Sequence, residues 1–340
     1  MLADAYIHQL SPFAIQLTDT FGLRWYGLAY IAGFIVGWWF IRWMARTDRS
    51  PLTPDQAGDL LFAGVLGVLL GGRIGYALFY DPQLLISFSS EFPWWDLLAI
   101  NRGGMASHGG IIGVLFAFII WGRKHKIPVM HLADLASVGG TAGLFFGRVA
   151  NFINGELWGK QIPNQQEPPW WSVKYPAEIT EVWLYNPDQY GNQLAALEPL
   201  RTTVVSGSDA FLQQIVAEAY KGNTVVIETI APQLTAWYPS QLFQAISDGP
   251  LLLGALIAVW FVPRKPGVVS GWFLVVYGLL RMVTEVFRQP DEGVSIIIGL
   301  SRGQLLSAGM VLAGAAMILI CAKRNSKKYG GIIRAKQAQA

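Results

Sequence analysis

Residues 147–159 read GRVANFINGELWG, which places one arginine, two asparagines and one glutamate in a glycine-rich and otherwise apolar part of the chain. Such groups are costly to remove from water, and an arginine at the centre of a bilayer costs about 2.5–3.5 kcal/mol on an insertion scale. Ionisable groups in apolar segments therefore mark functional sites by default. We expect Arg148, Asn151, Asn154 and Glu156 to bind a polar ligand.

The composition is that of a membrane protein. Of the 340 residues, 53% are hydrophobic and 14% are charged, which is too apolar for one soluble core. A transmembrane helix needs about 20 mostly apolar residues. We therefore predict an all-α polytopic membrane protein, a bundle of seven transmembrane helices with a small extracytoplasmic subdomain. The predicted spans are residues 25–45, 57–80, 107–122, 131–150, 239–262, 270–288 and 296–321.

Basic residues follow every second predicted span, and by the positive-inside rule these connections are cytoplasmic. The net charge of +3 then reflects topology and predicts no nucleic-acid partner. The predicted cytoplasmic connections are 42–56, 123–130, 263–269 and 322–340. The predicted outward ones are 1–24, 81–106, 151–238 and 289–295. The predicted domains are helices 1–4 with an outside amino terminus (1–150), the extracytoplasmic subdomain (151–238), helices 5–7 (239–321) and a basic cytoplasmic tail (322–340).

The long outward segment differs in composition from the spans. It is rich in proline and tryptophan, and two runs in it, Thr202–Val205 and Thr224–Ile227, are typical of strands. In the spans, Gly67, Gly71 and Gly75 recur at every fourth residue, an interval that lets helix backbones approach closely in lipid. We expect these glycines to pack helices.

The sixth span carries a polar stripe. Tyr277, Arg281, Glu285 and Arg288 are spaced by four, four and three residues, so they share one helix face. One alternative is that Arg281 and Glu285 form an ion pair that only holds the bundle together. The stripe nevertheless has two arginines and one carboxylate, and we interpret the extra positive charge as an anion site.

His108 lies at the outward end of the third span, next to glycine pairs. A single histidine at a helix end is usually a hydrogen-bonding group. Here its predicted membrane depth matches that of Arg148 and Arg281, so three helices present polar groups near the outer leaflet. Arginines bind phosphate through forked hydrogen bonds. The ligand that this arrangement favours is a phospholipid head group, and the nearby asparagine amides favour glycerol hydroxyls.

Residues 147–159 match throughout the signature Gly-Arg-x-Ala/Gly-Asn-Phe-x-Asn-x-Glu-x-x-Gly, and the chain resembles the bacterial prolipoprotein diacylglyceryl transferases. The resemblance covers nearly the whole membrane bundle, and segment 160–235 is its least diagnostic part. It extends to RWYG at 24–27, GMASHGG at 104–110, YPSQL at 238–242 and residues 281–291.

This resemblance implies a seven-span protein of the bacterial inner membrane with its amino terminus outside and its carboxyl terminus in the cytoplasm. It implies transfer of the diacylglyceryl group of phosphatidylglycerol to the lipobox cysteine in a prolipoprotein signal peptide. The reaction forms a thioether, releases glycerol 1-phosphate and is the first step of lipoprotein maturation. The chemistry requires no metal and no soluble cofactor.

The roles that we assign follow from this reaction. Arg148 and Arg281 bind the phosphate, and His108 either takes the thiol proton or positions the substrate. The head group is positioned by Tyr26, Asn151, Asn154 and Tyr277. The supporting residues are Glu156, Glu285, Arg288 and Gly159.

Two other classes of protein remain open at this point. A polytopic transporter or channel for an anionic lipid or solute also places charges inside a bundle, usually with inverted repeats, but no internal repeat is visible. An intramembrane protease needs a nucleophile with a base or paired aspartates. Ser107 beside His108 and the isolated Asp248 do not form such a set.

Overall fold

The computed structural model describes residues 5–18, 22–90, 92–100, 103–201, 208–289 and 301–333. These residues are mostly helical, and the chain divides into two compact units. The first unit comprises residues 1–32, 144–251 and 279–308, and the second comprises residues 33–143, 252–278 and 309–340. The predicted run Thr202–Val205 and residues 290–295 of the predicted connection 289–295 lie outside the described residues.

The helices follow the apolar runs of the sequence. They are α1 (Trp25–Arg46), α2 (Gln56–Phe79), α3 (Ser107–His125), α4 (Val129–Ile153), α5 (Pro187–Ala196), α6 (Ser208–Tyr220), α7 (Thr224–Ile230), α8 (Ser240–Ile246), α9 (Leu252–Val259), α10 (Val268–Glu285) and α11 (Arg302–Lys323). A π-helical turn, Ser247–Leu251, joins α8 to α9, and it contains Pro250, which cannot donate a backbone hydrogen bond.

Six stretches of described helix are long and apolar enough to cross a membrane. They are α1, α2, α4, the continuous Ser240–Val259, α10 and α11. The third predicted span is present as the 19-residue helix α3 but is not among these six. The sixth predicted span, 270–288, ends earlier than expected, because α10 stops at Glu285.

In the first unit, short strands surround the polar end of α4. The strands β1 (Tyr6–Ile7), β4 (Val173–Lys174) and β5 (Ala236–Trp237) form one sheet, in which β1 is parallel to β4 and β4 is antiparallel to β5. Strands β2 (Phe13–Gln16) and β3 (Gly22–Arg24) form an antiparallel hairpin that leads directly into α1.

Helices α5, α6 and α7 of the first unit close around an apolar core that includes the buried side chains of Trp183, Phe211 and Ile230. The prediction of a strand at Thr224–Ile227 was wrong, because these residues form the first turn of α7. The side chain of Asn223 accepts a hydrogen bond from the backbone N–H of Val226 and so caps this helix. β-branched residues favour strands only weakly, and a cap with apolar packing overrides that preference.

In the second unit, α2 and α3 meet through glycine, as predicted. A Cβ atom placed on Gly67 would lie 2.7 Å from the backbone oxygen of Gly113, and one on Gly75 would lie 2.7 Å from the Cα of Gly109. No side chain fits at these distances, so the backbones themselves are in contact. This contact fixes the start of α3, which carries His108.

Arg73 of α2 also holds this region of the second unit. Its side chain is buried and donates hydrogen bonds to the backbone oxygens of Asp96 at 2.6 Å, Leu97 at 2.8 Å and Gly103 at 2.5 Å. A buried guanidinium needs such partners, because an unsatisfied charge in an apolar surrounding is very unfavourable. Arg73 therefore anchors the loop that precedes α3.

Candidate functional site

Arg148 lies in the last turns of α4 and faces a buried carboxylate. Its Nε atom is 3.5 Å from Oδ2 of Asp248, whose side chain is fully buried in the π-helical turn of the fifth span. The hydroxyl of Ser247 donates a hydrogen bond to Oδ1 of Asp248 at 3.0 Å. π-Helical turns inside α-helices are frequent at functional sites, and this one turns an aspartate toward an arginine. The sequence had indicated that Asp248 is isolated, and its contact with Arg148 shows that this was wrong.

Arg281, Glu285 and Arg288 form a second group of charges. Nη2 of Arg281 lies 2.8 Å from Oε2 of Glu285, and Nη1 of Arg288 lies 4.0 Å from the same oxygen. The Glu285 side chain is 9% exposed. A Cβ atom on Gly303 would lie 2.6 Å from Oε1 of Glu285, so the start of α11 packs against this carboxylate. The ion pair weighed as an alternative is thus present, and it accounts for one arginine of the stripe.

Tyr26, Asn151 and Glu156 form a hydrogen-bonded triad. The Tyr26 hydroxyl donates to Oε1 of Glu156 at 2.6 Å. The Asn151 side-chain amide donates to the same oxygen at 3.0 Å and also contacts the Tyr26 hydroxyl. Asn151 is buried, whereas Tyr26 begins α1 directly after the β2–β3 hairpin. These three predicted residues therefore come together, with Glu156 as the shared acceptor.

The backbone after α4 is shaped by residues with left-handed conformations. Gly155 has a φ of +65°, which is common at helix ends, and Leu157 has a φ of +57°. The Gln241 side-chain amide donates to the backbone oxygen of Glu156 at 2.7 Å, and the Ser240 hydroxyl donates to that of Leu157 at 3.1 Å. The start of α8 thus holds this turn in place.

Gly159 lies where three backbone segments meet. Its N–H donates to the Tyr238 oxygen at 3.0 Å. A Cβ atom here would lie 2.5 Å from that oxygen and 2.6 Å from the backbone oxygen of Phe287. Gly159 also forms an antiparallel bridge with Arg288. Only glycine fits such a close approach, which explains its place in the motif without any contact to a ligand.

The three groups of charges are close enough to interact. Asp248 interacts electrostatically with both Arg148 and Arg281, and Arg148 also interacts with Tyr26. The stripe of α10 has two arginines and one carboxylate, and its role as an anion site stays a prediction. The charged residues of the cluster are Arg148, Arg281, Arg288, Glu156, Asp248 and Glu285. We call these six residues, with Tyr26 and Asn151, the charged cluster.

Asn154 lies beside the charged cluster and retains acceptor capacity. Its Oδ1 atom is buried and has no hydrogen-bond partner among the described residues. A buried acceptor without a partner is unfavourable. The role of Asn154 toward a ligand stays a prediction.

His108 and Tyr277 belong to the second unit. His108 is the second residue of α3 and is exposed, and the preceding Ala106 N–H donates to the Gly72 oxygen at 2.9 Å. The Tyr277 ring stacks on that of Phe273, with ring centroids 5.6 Å apart. Their roles toward a ligand of the charged cluster stay predictions.

Three titratable groups outside the spans flank the motif. Burial lowers the pKa of His8, whose Nε2 donates to the Phe152 backbone oxygen at 2.8 Å. Burial, and to a lesser extent the neighbouring Glu156 carboxylate, raise the pKa of Glu181. Burial also raises the pKa of Tyr220 to about 12. The first unit therefore favours neutral side chains next to the charged cluster.

Sequence reasoning missed Asp248, Gln241 and Arg73 as contributors. A carboxylate within an apolar span is by itself a signal of function, so Asp248 was detectable in principle. Its partner was not, because Arg148 lies on a different helix. Gln241 and Arg73 bond to backbone oxygens, and no side-chain pattern reveals such contacts.

Long apolar helices that carry paired arginines and carboxylates define a polytopic membrane protein with a polar site, and comparison with known proteins identifies its family. The family model of prolipoprotein diacylglyceryl transferase matches residues 12–320. The chain therefore belongs to the prolipoprotein diacylglyceryl transferase family, which confirms the resemblance found in residues 147–159. Together with the six apolar helices, this makes it a multi-pass bacterial membrane protein.

Individual relatives agree over almost the full length. The chain is 39% identical to a phosphatidylglycerol–prolipoprotein diacylglyceryl transferase of Bdellovibrio bacteriovorus, over 96% of each chain. Proteins of the same name from Photorhabdus laumondii and Rhodospirillum rubrum are 33% and 32% identical, over 96% and 93% of this chain. They are covered over 94% and 92% of their own lengths.

Proposed function

We propose that this protein transfers the diacylglyceryl group of phosphatidylglycerol to the lipobox cysteine of a prolipoprotein. The observation that carries the proposal is the charged cluster, which gathers Arg148 and Arg281 around one buried aspartate in apolar helices. The names of the relatives support the same donor and acceptor. The proposed products are a thioether-linked prolipoprotein and glycerol 1-phosphate.

The reaction is a substitution at a glyceryl carbon of the lipid. The cysteine sulfur forms a bond to this carbon, the carbon–oxygen bond to the phosphate breaks, and the thiol proton leaves to a base or to water. The thiolate is the competent nucleophile. The departing phosphate gains negative charge, so cations placed beside it stabilise the transition state. Holding both substrates in one site further lowers the barrier.

Arg148 and Arg281 are the proposed phosphate ligands. A guanidinium has five N–H donors in a plane, and the ion pairs with Asp248 and Glu285 involve Nε of Arg148 and Nη2 of Arg281. We assign to these carboxylates the task of holding the guanidinium planes in orientation. Because Asp248 interacts with both arginines, one anion bound near it contacts two cations.

The neutral groups are assigned to the glycerol head group. Asn154 supplies the buried acceptor Oδ1, and Asn151 is held by Tyr26 and Glu156. We assign Tyr277 to the same task on the stripe of α10. Glu156, Glu285 and Arg288 support these residues, and Gly159 allows the close approach of the backbones.

His108 has one of two roles. Histidine is the most frequent general base in enzymes and is suited to take the thiol proton. Alternatively the arginines stabilise the thiolate, and His108 positions a substrate. Either role depends on the anchoring of the loop before α3 by Arg73.

The topology belongs to the same proposal. We assign α3 as a seventh span, the amino terminus and residues 151–238 to the outside, and residues 322–340 to the cytoplasm, in the bacterial inner membrane. The alternation of basic connections supports this orientation. Residues 1–150, 151–238 and 239–321 then correspond to helices 1–4, the outer subdomain and helices 5–7.

A direct assay tests the function. Purified protein is incubated with phosphatidylglycerol labelled in its acyl chains and with a lipobox peptide, and the product is analysed for a thioether-linked lipid. We expect transfer from phosphatidylglycerol and none from phosphatidylethanolamine, whose ammonium group faces arginines and lacks the glycerol hydroxyls. A peptide with serine in place of the lipobox cysteine is the matched control. Equal transfer from both lipids contradicts the assigned head-group contacts, and no transfer from either contradicts the function.

A further inference from the structure

An apolar groove lies in the second unit, and no residue of the charged cluster lines it. It has a volume of about 300 Å³, which is within the range of ligand pockets. The groove runs between α1, α4 and α9 and is bounded at one end by the segment that follows α11. Its lining includes Trp39, Trp43, Ala142, Leu253, Ile257 and Ile332.

The lining of the groove accepts hydrocarbon. Its one hydroxyl among the described lining residues, that of Thr141, already donates to the Val138 backbone oxygen at 2.8 Å. The groove therefore presents apolar atoms to a hydrocarbon chain. Binding of such a chain is stabilised by dispersion and by burial of apolar surface. Trp39 is 63% exposed at its edge, and tryptophan is enriched where a membrane protein meets the lipid head groups.

A cation is fixed next to this groove. The Arg49 side chain donates from Nε to the Gly331 backbone oxygen at 2.7 Å and from Nη2 to the Ile332 oxygen at 3.1 Å. Its guanidinium lies 4.8 Å from the Trp43 ring centroid. Trp43, Gly331 and Ile332 all line the groove, so the Arg49 guanidinium is held next to its lining.

Other basic residues extend this positive region. Arg46 is exposed in the last turn of α1, and Arg264 is exposed after α9, where its backbone pairs with Tyr329. The nearby acidic residues are Asp48 and Asp55, and Asp55 lies 3.7 Å from Arg42. Among the described residues, no carboxylate lies within ion-pairing distance of Arg49.

We propose that this groove binds one acyl chain of an anionic phospholipid whose phosphate contacts Arg49. The apolar lining matches the chain, and the fixed guanidinium matches the phosphate. This combination distinguishes a lipid with a negative head group from a neutral one. The site is separate from the proposed catalytic function, since no residue of the charged cluster lines it. By the proposed orientation, the lipid comes from the cytoplasmic leaflet.

Photolabelling of the full-length protein in nanodiscs tests the site. The probe is phosphatidic acid with a diazirine near the end of one acyl chain, used without prolipoprotein, and adducts are mapped by mass spectrometry. We expect saturable adducts on the groove residues of α1 and α9. Unlabelled phosphatidic acid should compete about tenfold better than phosphatidylcholine, a difference of about 1.4 kcal/mol.

Matched variants separate a built site from general lipid contact. Ile257→Trp fills the groove and should abolish the saturable adducts, whereas Ile320→Trp on the exposed face of α11 should leave them unchanged. Arg49→Gln should remove the preference for phosphatidic acid, and Arg46→Gln should keep it. Adducts of equal density on the groove and around Ile320, or equal competition by both lipids, overturn the proposal. Neither result depends on diacylglyceryl transfer, so the proposed function is tested independently.

Discussion

Arg148, Asp248 and Arg281 lie in three different helices, each apolar enough to span a bilayer. Charged groups are tolerated there because each is paired: Arg148 with Asp248, and Arg281 with Glu285. Removing one partner of a buried pair leaves an uncompensated charge, which costs about 3–5 kcal/mol. The conservative substitutions that keep charge are therefore the informative ones.

We expect Arg148→Lys and Arg281→Lys each to lower the transfer rate by roughly 10²–10³, the range for loss of a transition-state donor. Lysine keeps the charge but loses the planar fork that binds phosphate through two hydrogen bonds. The rate is measured with labelled phosphatidylglycerol, and Arg201→Lys, in an exposed pair with Glu198, is the control. Full activity in both folded variants makes these arginines structural ion-pair partners only.

The substitution His108→Gln separates the two roles of this residue. Glutamine keeps hydrogen bonding but cannot take a proton at neutral pH. If His108 is the base, the rate falls strongly and its dependence on histidine ionisation disappears. Near-normal turnover that rises with thiol ionisation would instead assign thiolate formation to the arginines. The measurement is the pH profile of the transfer rate for the wild type and the variant.

We expect His8 to make the protein less stable in acid. Its Nε2 donates to the Phe152 oxygen, and its buried Nδ1 has no hydrogen-bond partner among the described residues. Because burial lowers the pKa of His8 in the folded state, the unfolded chain binds the proton more readily. Stability is therefore complete above the ordinary histidine pKa of about 6.5 and declines below it, by at most about 1.4 kcal/mol per pH unit.

The melting temperature between pH 8 and pH 5 measures this effect of His8. His8→Gln should flatten the acid slope even if it lowers the melting temperature at neutral pH. His125→Gln, which alters a histidine of the second unit that stacks on Trp121, serves as the control. The prediction is wrong if His8→Gln retains the full slope.

At the scale of elements, glycine spacing determines how α2 and α3 pack. A Cβ atom on Gly113 would lie 2.9 Å from the Gly71 Cα, whereas nothing lies within 4 Å of one on Gly140. An alanine side chain would thus meet backbone atoms at position 113 and open space at position 140. We expect Gly113→Ala to destabilise the protein by roughly 1–3 kcal/mol, because the helices must separate.

Thermal unfolding in detergent measures this difference. Gly140→Ala should be neutral or slightly stabilising, since alanine has the higher helix propensity. Equal melting temperatures for the two variants would show that the close contact of α2 and α3 contributes little. Transfer activity is expected to follow stability in both, because neither glycine belongs to the charged cluster.

A second element-scale feature connects spans to one another. The Asp134 carboxylate of α4 accepts hydrogen bonds from the backbone N–H groups of Gly267 at 2.8 Å and Ser270 at 2.7 Å, at the start of α10. A carboxylate at a helix amino terminus satisfies otherwise unpaired donors. This cap links the helix that carries Arg148 to the helix that carries Arg281.

At the scale of the whole molecule, the basic connections predict the orientation in the membrane. We expect Trp170→Cys, at a residue that is 66% exposed, to be labelled by an impermeant maleimide in intact cells. The background is Cys321→Ala, which removes the single native cysteine. Lys124→Cys in the connection after α3 is the control and should react only after permeabilisation. Labelling of position 170 only after permeabilisation would reverse the proposed topology and with it the outward site.

Much of the fold was predictable from residue type alone. The bounds of α1, α2 and α4 lie within three residues of the apolar runs at 25–45, 57–80 and 131–150. A span is defined by the hydrophobicity of consecutive residues, so it can be predicted from the sequence without knowledge of the tertiary structure. The strand expected at Thr224–Ile227 was wrong, since the Asn223 cap and apolar packing make these residues the start of α7.

The sequence by itself determined the class of protein, the family and the polar residues of the motif at 147–159, because apolar runs and a fixed motif spacing are local properties. Only the tertiary structure decided that Asp248 faces Arg148, that Tyr26 and Asn151 share the Glu156 carboxylate, and that Gly159 meets two other backbones. A buried polar group bonds to a group that lies close to it in space, and that partner can be far away along the chain.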